Sequence, residues 1–64
     1  MDLVYVFIYG REWEDIIIFL SKDDAITKSI EYPNTRVEIF CKTTTLGYEP
    51  TYNYYKNGEL IKTS

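Results

Sequence analysis

The sequence contains no histidine and only one cysteine, Cys41, in 64 residues. Without an imidazole base, a serine triad of the usual kind is excluded. A single cysteine forms neither an intrachain disulfide nor a zinc site made of cysteine and histidine. A chain of this length buries only about 60% of its unfolded surface and is marginally stable alone. Its stability therefore has to come from a well-packed small core, from oligomerisation, or from both.

Basic residues are in the minority, since seven lysines and arginines face ten acids and give a net charge of −3. This balance disfavours general binding to nucleic acids or to anionic membranes, because both depend on basic patches. No segment approaches the ~20 apolar residues of a transmembrane helix. The acidic Asp2 and the short apolar run that follows it do not fit a signal peptide. We therefore expect a soluble intracellular protein that is not secreted.

The beginning of the chain predicts a pair of antiparallel strands. The run LVYVFIY is rich in β-branched and aromatic residues, which favour strands. Gly10 fits the first central position of a two-residue turn, although a longer loop is possible, and the run EDIIIFL would return beside the first strand. This turn would place Tyr5 opposite Ile16, and it would leave both faces of the hairpin largely apolar.

Residues 21–33 predict a helix. Ser21 is a good N-cap, Asp24 completes a capping box, and Pro33 cannot continue the helix. The apolar stripe of this helix is narrow and consists of Ala25, Ile26, Ser29 and Ile30. Such a stripe covers part of one sheet face and no more.

The remainder of the chain predicts three strands. Residues 36–42 alternate between apolar and polar side chains as a half-buried strand does. Residues 43–50 predict a loop or wide turn, and Asn57-Gly58 indicates a hairpin within residues 51–62. The predicted order is β-β-α-β-β-β. We therefore predict that residues 1–64 form a single compact α+β domain, with one helix packed on a small antiparallel or mixed sheet.

The second face of the first hairpin has no evident cover within this chain. An exposed apolar patch of this kind usually marks an interface, and homodimers are the commonest symmetric assembly. We predict a homodimer that forms through this face or through a sheet edge, and the residues predicted to make the contact are Tyr5, Phe7, Ile16 and Ile18. The alternative is a monomer in which loop 43–50 folds over the second face with Leu46, Tyr48 and Pro50.

Cys41 and the acidic side chains are the groups with a capacity for chemistry. Cys41 is in phase with Val37 and Ile39, so it fits a small buried side chain better than a nucleophile. The acids near the first turn match no calcium-binding loop, and Asp23 and Asp24 are explained by the helix N-terminus. We therefore predict no catalytic residue, no metal site and no cofactor.

Aromatic and basic side chains are mixed near the C-terminus. Aromatic rings on a sheet with flanking bases can stack the bases of a single-stranded nucleic acid. Tyrosines in strands more often pack across strands or at protein interfaces. Trp13, beside the first turn, is either a plug in the core or an exposed anchor for a partner. The candidate residues for contact with a partner are Trp13, Tyr48, Tyr52, Tyr54, Tyr55 and Lys56.

Two stretches of the sequence, EDIIIFLSKDDAITKSIEYPNTRVEIF and GYEPTYNYYKNGEL, carry a resemblance to known proteins. They resemble segments of short uncharacterised proteins encoded by large double-stranded DNA viruses of amoebae, including marseillevirus-like and mimivirus-like viruses. The specific pieces are YPN-x-RVEIF around residues 33–40 and PTYNYYKNG at residues 50–58, and the similarity covers roughly residues 5–61. The resemblance implies an infected-cell setting, in the host cytoplasm or in the virion, and it implies no catalytic residues.

The sequence therefore predicts a small, non-enzymatic viral protein that acts as a homodimer by binding protein. Its target would be a virion component or a host factor, and we expect no association with membranes. The alternative function is that of a nucleic-acid accessory protein that uses the Tyr/Lys-rich C-terminal hairpin.

Overall fold

The computed structural model describes residues 2–44 and 47–63 of the chain. Within these ranges the elements are β1 Leu3–Ile8, β2 Ile16–Phe19, α1 Lys22–Glu31, β3 Val37–Lys42, β4 Tyr48–Lys56 and β5 Glu59–Ile61. The strands form one sheet in the order β2-β1-β3-β4-β5, and each neighbouring pair is antiparallel. The predicted α+β fold and the predicted order of its elements are confirmed.

The residues that flank helix α1 explain where it begins and where it ends. The Ser21 hydroxyl oxygen accepts a hydrogen bond from the Asp24 amide at 3.4 Å, which satisfies one of the free donors of the first turn. At the other end, the Tyr32 amide donates to the Lys28 carbonyl oxygen at 3.1 Å, and Pro33 then stops the helix. The buried helix residues are Ala25 and Ser29. The predicted helix is therefore confirmed, but its predicted apolar stripe is confirmed only in part, because Ile26 is partly buried and Ile30 is 54% exposed.

The hydrophobic core lies between α1 and one face of the sheet. Directly opposed residues of antiparallel strands share a face, so the strand pairs show which side chains point toward the helix. The buried hydrophobic residues in the described ranges are Tyr5, Phe7, Ala25, Val37, Ile39 and Tyr55. Leu3, Phe19 and Ile26 pack against them and are partly buried. One helix over four of the strands thus accounts for the whole described core.

The connection between β1 and β2 is longer than the predicted two-residue turn. It spans residues 9–15, and the Tyr9 amide donates to the Asp15 carbonyl oxygen at 3.0 Å. A Cβ atom on Gly10 would lie 2.1 Å from the Asp15 carboxylate oxygen Oδ2, so a side chain at this position would displace Asp15. The loop is therefore closed by Asp15, which the predicted turn placed within the second strand.

This longer loop changes the register of the first hairpin. Tyr5 lies opposite Phe19 and not opposite Ile16, which is a shift of three residues from the prediction. Because side chains alternate along a strand, an odd shift moves every β2 side chain to the other face. Ile16 and Ile18 therefore lie on the sheet face opposite to Tyr5, and the predicted register is wrong.

The Asn57-Gly58 hairpin is confirmed, since both residues have positive φ angles of 50° and 82°. Strand β4 begins at Tyr48, before the predicted start at residue 51. Pro50 is tolerated in this strand because β5 pairs only with residues 54–56 and leaves the outer edge beside Pro50 without a strand partner. A bulge follows, where the β3–β4 register shifts and Tyr52 adopts a φ of 67°.

Candidate interaction surfaces

The sheet face opposite to α1 is apolar and open to solvent. Its strand pairs include Val6 with Ile18, Ile8 with Ile16, and Phe40 with Pro50. We call this surface the open face; its apolar residues are Val4, Val6, Ile8, Ile16, Ile18, Phe40, Tyr48, Pro50, Tyr54 and Ile61. None of these residues is buried, and Ile18 is 54% exposed. The apolar residues that α1 leaves uncovered thus share one face of the sheet.

The predicted self-association residues divide between the two faces. Ile16 and Ile18 lie on the open face and are exposed. Tyr5 and Phe7 lie under α1 and are only 5% and 3% exposed. Their assignment to the contact surface is corrected, because the three-residue shift in register separates them from the isoleucines. They are core residues.

The monomer alternative required a loop over the second face. Tyr48 and Pro50 lie in β4 and are themselves part of the open face, so they do not cover it. Leu46, the third residue of that alternative, lies outside the described residues. The described part of the chain therefore leaves the open face without a cover.

The charges on the open face are nearly balanced. The Arg36 guanidinium carbon lies 4.5 Å from the centre of the Tyr54 ring, and Arg36 Nε is 3.0 Å from Glu38 Oε2. Within the strands, the face carries Lys42 and Lys56 against Glu38 and Glu59. Glu38 lies in the central strand between Val6 and Tyr54, so its pair with Arg36 is a polar spot within the face and not at its margin.

The candidate partner-contact residues do not form one site. Trp13 is 83% exposed in the loop of residues 9–15, so it is not a plug in the core. Tyr48 and Tyr54 belong to the open face, while Tyr52 is exposed at the β4 bulge. The rings of Trp13, Tyr48 and Tyr52 are exposed, whereas Arg36 lies over the partly exposed ring of Tyr54.

Tyr55 and Lys56, the last two candidate residues for contact with a partner, differ in their exposure to solvent. Tyr55 is buried, and its ring centre lies 6.1 Å from that of Tyr5, so it is a core residue and its assignment to partner contact is corrected. Lys56 is exposed at the end of β4. Because Tyr54 and Tyr55 point to opposite faces and Arg36 covers Tyr54, the hairpin does not present a row of rings for stacking bases.

Burial changes the acidity of one core residue. The pKa of the Tyr5 hydroxyl is raised, mainly because burial disfavours the charged phenolate and also because Tyr55 lies beside it. The shift thus extends to higher pH the range in which the Tyr5 hydroxyl is neutral.

The acidic residues and Cys41 form no reactive cluster. The described residues contain no group of three or more histidine, cysteine or acidic side chains able to hold a metal ion. Asp23 and Asp24 lie in the first turn of α1, where the helix dipole favours them. Cys41 is half-buried opposite Leu3. Asp23 and Asp24 thus have the predicted positions at the helix N-terminus, whereas Cys41 is less buried than the core side chain that the sequence predicted.

Sequence reasoning missed most residues of the open face, including Val4, Val6, Ile8 and Phe40. The alternation of side chains along β1 and β3 could have indicated these residues. The even-numbered apolar residues of both strands point away from Val37 and Ile39. Only the pairing of the strands shows that these residues form one continuous surface with Ile16 and Ile18.

No protein-family model, curated protein or solved structure matches the chain at a significant level. In the described residues, no helix has both the length and the apolar character needed to cross a membrane. Functional inference for this chain therefore starts from its surfaces.

Proposed function

We propose that the protein is a non-enzymatic interaction module that acts as a homodimer through its open face. The observation that carries the proposal is the continuous apolar surface on the side of the sheet that α1 does not cover. Contiguous apolar surface of this kind is uncommon on monomers and is typical of interfaces. A second copy that packs its own open face there would turn two two-layer molecules into a sandwich of two sheets.

The size of the chain favours a second copy as the occupant. A chain of 64 residues has a small core, and association is one of the few ways to stabilise it further. The monomer exposes 4815 Å² in total. A standard interface of about 800 Å² per partner would take about one sixth of this surface, which one broad side of a two-layer domain can supply.

The charge distribution also favours self-association through this face. Two copies with a net charge of −3 each repel one another in general. The strand charges on the open face balance, and Arg36 adds a positive charge beside Glu38. Contact through the open face therefore brings together the least acidic sides of the two molecules, where an arginine and a glutamate can each meet its opposite across a two-fold axis.

Exposed aromatic residues outside the dimer contact would serve recognition of another protein. Trp13 and Tyr52 are the leading candidates, because exposed tryptophan and tyrosine are the residue types enriched among binding hot spots. The resemblance to proteins of amoebal viruses supports a virion component or a host factor as the target. The acidic net charge and the divided hairpin tyrosines do not favour the nucleic-acid alternative.

The test compares the molar mass of three proteins by light scattering across a dilution series. The wild type is expected to have the mass of two chains at micromolar concentration. Ile18→Asp places a charge within the open face and is expected to give a folded monomer, because an unpaired buried charge is costly at an interface. Leu60→Asp is the matched control, since Leu60 is 45% exposed on the helix side, and it should remain dimeric.

Circular dichroism has to show that both variants remain folded before their masses are compared. A wild type that is monomeric at all accessible concentrations would overturn the dimer. Dissociation of Leu60→Asp, with Ile18→Asp still dimeric, would place the contact on the helix side instead. Labelled single-stranded oligonucleotides at two salt concentrations test the alternative, which requires binding that weakens steeply with salt.

A further inference from the structure

A second surface feature lies on the helix side of the sheet, away from the open face. A groove of about 390 Å³ opens between the C-terminal end of α1, the end of β1 and strand β2. We call it the aromatic groove; it is lined by Phe7, Tyr9, Ile17, Lys28, Tyr32 and Thr35. Its volume falls in the range of pockets that hold small organic molecules.

Three aromatic rings form one connected cluster in the aromatic groove. Phe7 is almost wholly buried and forms the floor. The Tyr9 ring centre lies 5.9 Å from that of Phe7 at an interplanar angle of 25°, and the Tyr32 ring centre lies 5.4 Å away at 48°. Tyr9 and Tyr32 are each about half exposed, so ring surface remains available to a flat molecule. Offset and tilted stacking are the geometries that aromatic rings prefer.

A positive charge lies at the same place. Lys28 Nζ is 5.2 Å from the centre of the Tyr32 ring and 5.9 Å from that of Phe7. It also lies 3.1 Å from Glu31 Oε1, one turn along the helix. The Glu31 side chain is 54% exposed and the Lys28 side chain 24% exposed, and solvent weakens a partly exposed pair of this kind. The ammonium group has three donors, so an anion in the groove can bind it beside or in place of Glu31.

We propose that the aromatic groove binds a planar aromatic compound that carries an anionic group, such as a carboxylate or a sulfonate. The ring of the ligand packs against Tyr9, Tyr32 and Ile17, and its anionic group pairs with Lys28. A cationic ligand would meet the ammonium group of Lys28 and is disfavoured. Because the groove and the open face lie on opposite sides of the sheet, binding here does not depend on the proposed dimer.

The test uses three naphthalene derivatives with different charges: naphthalene-1-sulfonate, 1-naphthalenemethanol and 1-naphthylmethylammonium. Each is titrated into ¹⁵N-labelled protein and followed by amide chemical shifts. The sulfonate is expected to bind about three- to fivefold more tightly than the alcohol, as for a partly exposed ion pair. The ammonium compound is expected to bind most weakly, although a net charge of −3 would attract it in general. The shifts should centre on Tyr9, Lys28 and Tyr32.

Variants separate the charge from the rings. Lys28→Gln should remove the preference for the sulfonate and leave binding of the alcohol unchanged. Tyr32→Leu should weaken all three compounds several-fold, because the stacking surface is lost. Glu31→Gln removes the competing acid and should leave sulfonate binding equal or tighter, while Lys56→Gln, which removes an exposed lysine on the other face, should change nothing.

Several results would overturn the proposal. Tighter binding of the ammonium compound, weakened by Glu31→Gln, would make the groove a cation site. Shifts confined to the open face, lost in Ile18→Asp and kept in Tyr32→Leu, would show that the probes only cover exposed apolar surface. Absence of binding by all three compounds at millimolar concentration would also contradict it. If Tyr32→Leu does not fold, Lys28→Gln and Glu31→Gln still decide the outcome.

Discussion

Tyr5 lies in the middle of the core, where it is 5% exposed and its ring lies beside that of Tyr55. Burial raises the pKa of its hydroxyl above the ordinary value of 10.0, because the phenolate loses hydration there and is also disfavoured by Tyr55. A group whose pKa is raised by folding stabilises the native state below its unfolded pKa. That contribution is lost as the pH rises through the folded pKa.

The higher pKa of Tyr5 in the folded protein predicts that the wild type loses stability at alkaline pH. The free energy of unfolding of the wild type should fall above about pH 10, where Tyr5 ionises more readily in the unfolded chain. Tyr5→Phe lacks the ionisable group, so its curve should fall less steeply there, while the offset between the two proteins stays constant below about pH 9. Denaturant titrations between pH 7 and pH 11 measure both curves, and parallel curves over the whole range would contradict the argument.

Ser29 joins two elements that are distant in the sequence. It is fully buried, its hydroxyl donates to the Ile26 carbonyl oxygen at 2.7 Å, and the same oxygen accepts from the Gly58 amide at 2.9 Å. The helix is thereby tied to the turn of the β4–β5 hairpin. Gly58 also lies close to Ile30, whose Cγ1 would be 3.1 Å from an added Cβ atom.

Replacing Ser29 by alanine should destabilise the protein, although alanine favours the helical conformation more than serine does. Ser29→Ala leaves the Gly58 amide without its hydrogen-bond partner, which lowers the free energy of unfolding by about 1–3 kcal/mol. The higher helix propensity of alanine offsets about 0.5 kcal/mol of this loss. We expect the free energy of unfolding to fall by about 1–2 kcal/mol in urea titrations. Thr27→Ala, at an exposed position of the same helix, is the control and should be neutral or slightly stabilising. Equal effects of the two substitutions would contradict the link.

The elements that the sequence predicted well are those with local signals. Ser21 and Pro33 bound the helix through interactions with their immediate neighbours, and Asn57-Gly58 sets its own turn by adopting positive φ angles. The register of β2 has no such signal, because Ile16, Ile17, Ile18 and Phe19 present apolar side chains to both faces in either register. The Asp15 contacts with residues 9–12 decide it instead.

The β4 bulge was also beyond prediction from sequence. A tyrosine at a φ of 67° is unusual, because a bulky residue is strained there. The arrangement is held by contacts from other elements, since the Thr51 hydroxyl donates to the Ile39 carbonyl oxygen at 2.8 Å and the Thr63 hydroxyl donates to the Tyr52 carbonyl oxygen. These contacts link residues that are far apart in sequence, so no local sequence pattern predicts them.

In the molecule as a whole, α1 covers one face of the sheet and leaves the other, the open face, uncovered. The expectation of an uncovered apolar surface came from the sequence, but only two of its four named residues, Ile16 and Ile18, lie there. Tyr5 and Phe7 belong to the covered side because faces are assigned by pairing between strands, which a single sequence does not reveal. The aromatic groove was missed for a similar reason, since Tyr32 follows α1 and reaches the ring of Phe7 in β1 only through the packing of the helix on the sheet.

If the uncovered side is closed by a second copy, thermal stability depends on protein concentration. Dissociation accompanies unfolding, so mass action raises the melting temperature as concentration rises. For a chain of this size, a hundredfold increase should raise it by about 5–10 °C. Ile18→Asp should melt at a temperature independent of concentration. Calorimetry at several concentrations measures both, and a constant wild-type melting temperature would contradict the prediction.

The strand order β2-β1-β3-β4-β5 also has a consequence for the order in which the sheet can assemble during folding. After β1 and β2 have paired, each later strand adds to the edge left by the strand made before it or by β1, and none has to insert between two others. The longest connection lies between β1 and β3, because β2 and α1 separate them in the sequence, and the pair that closes the shortest loop is Phe7 with Val37. Closure of that long loop is the costly event, and the strands that follow join at short range. The sheet can therefore grow outward from the β1–β2 pair, strand by strand, in the order of the sequence.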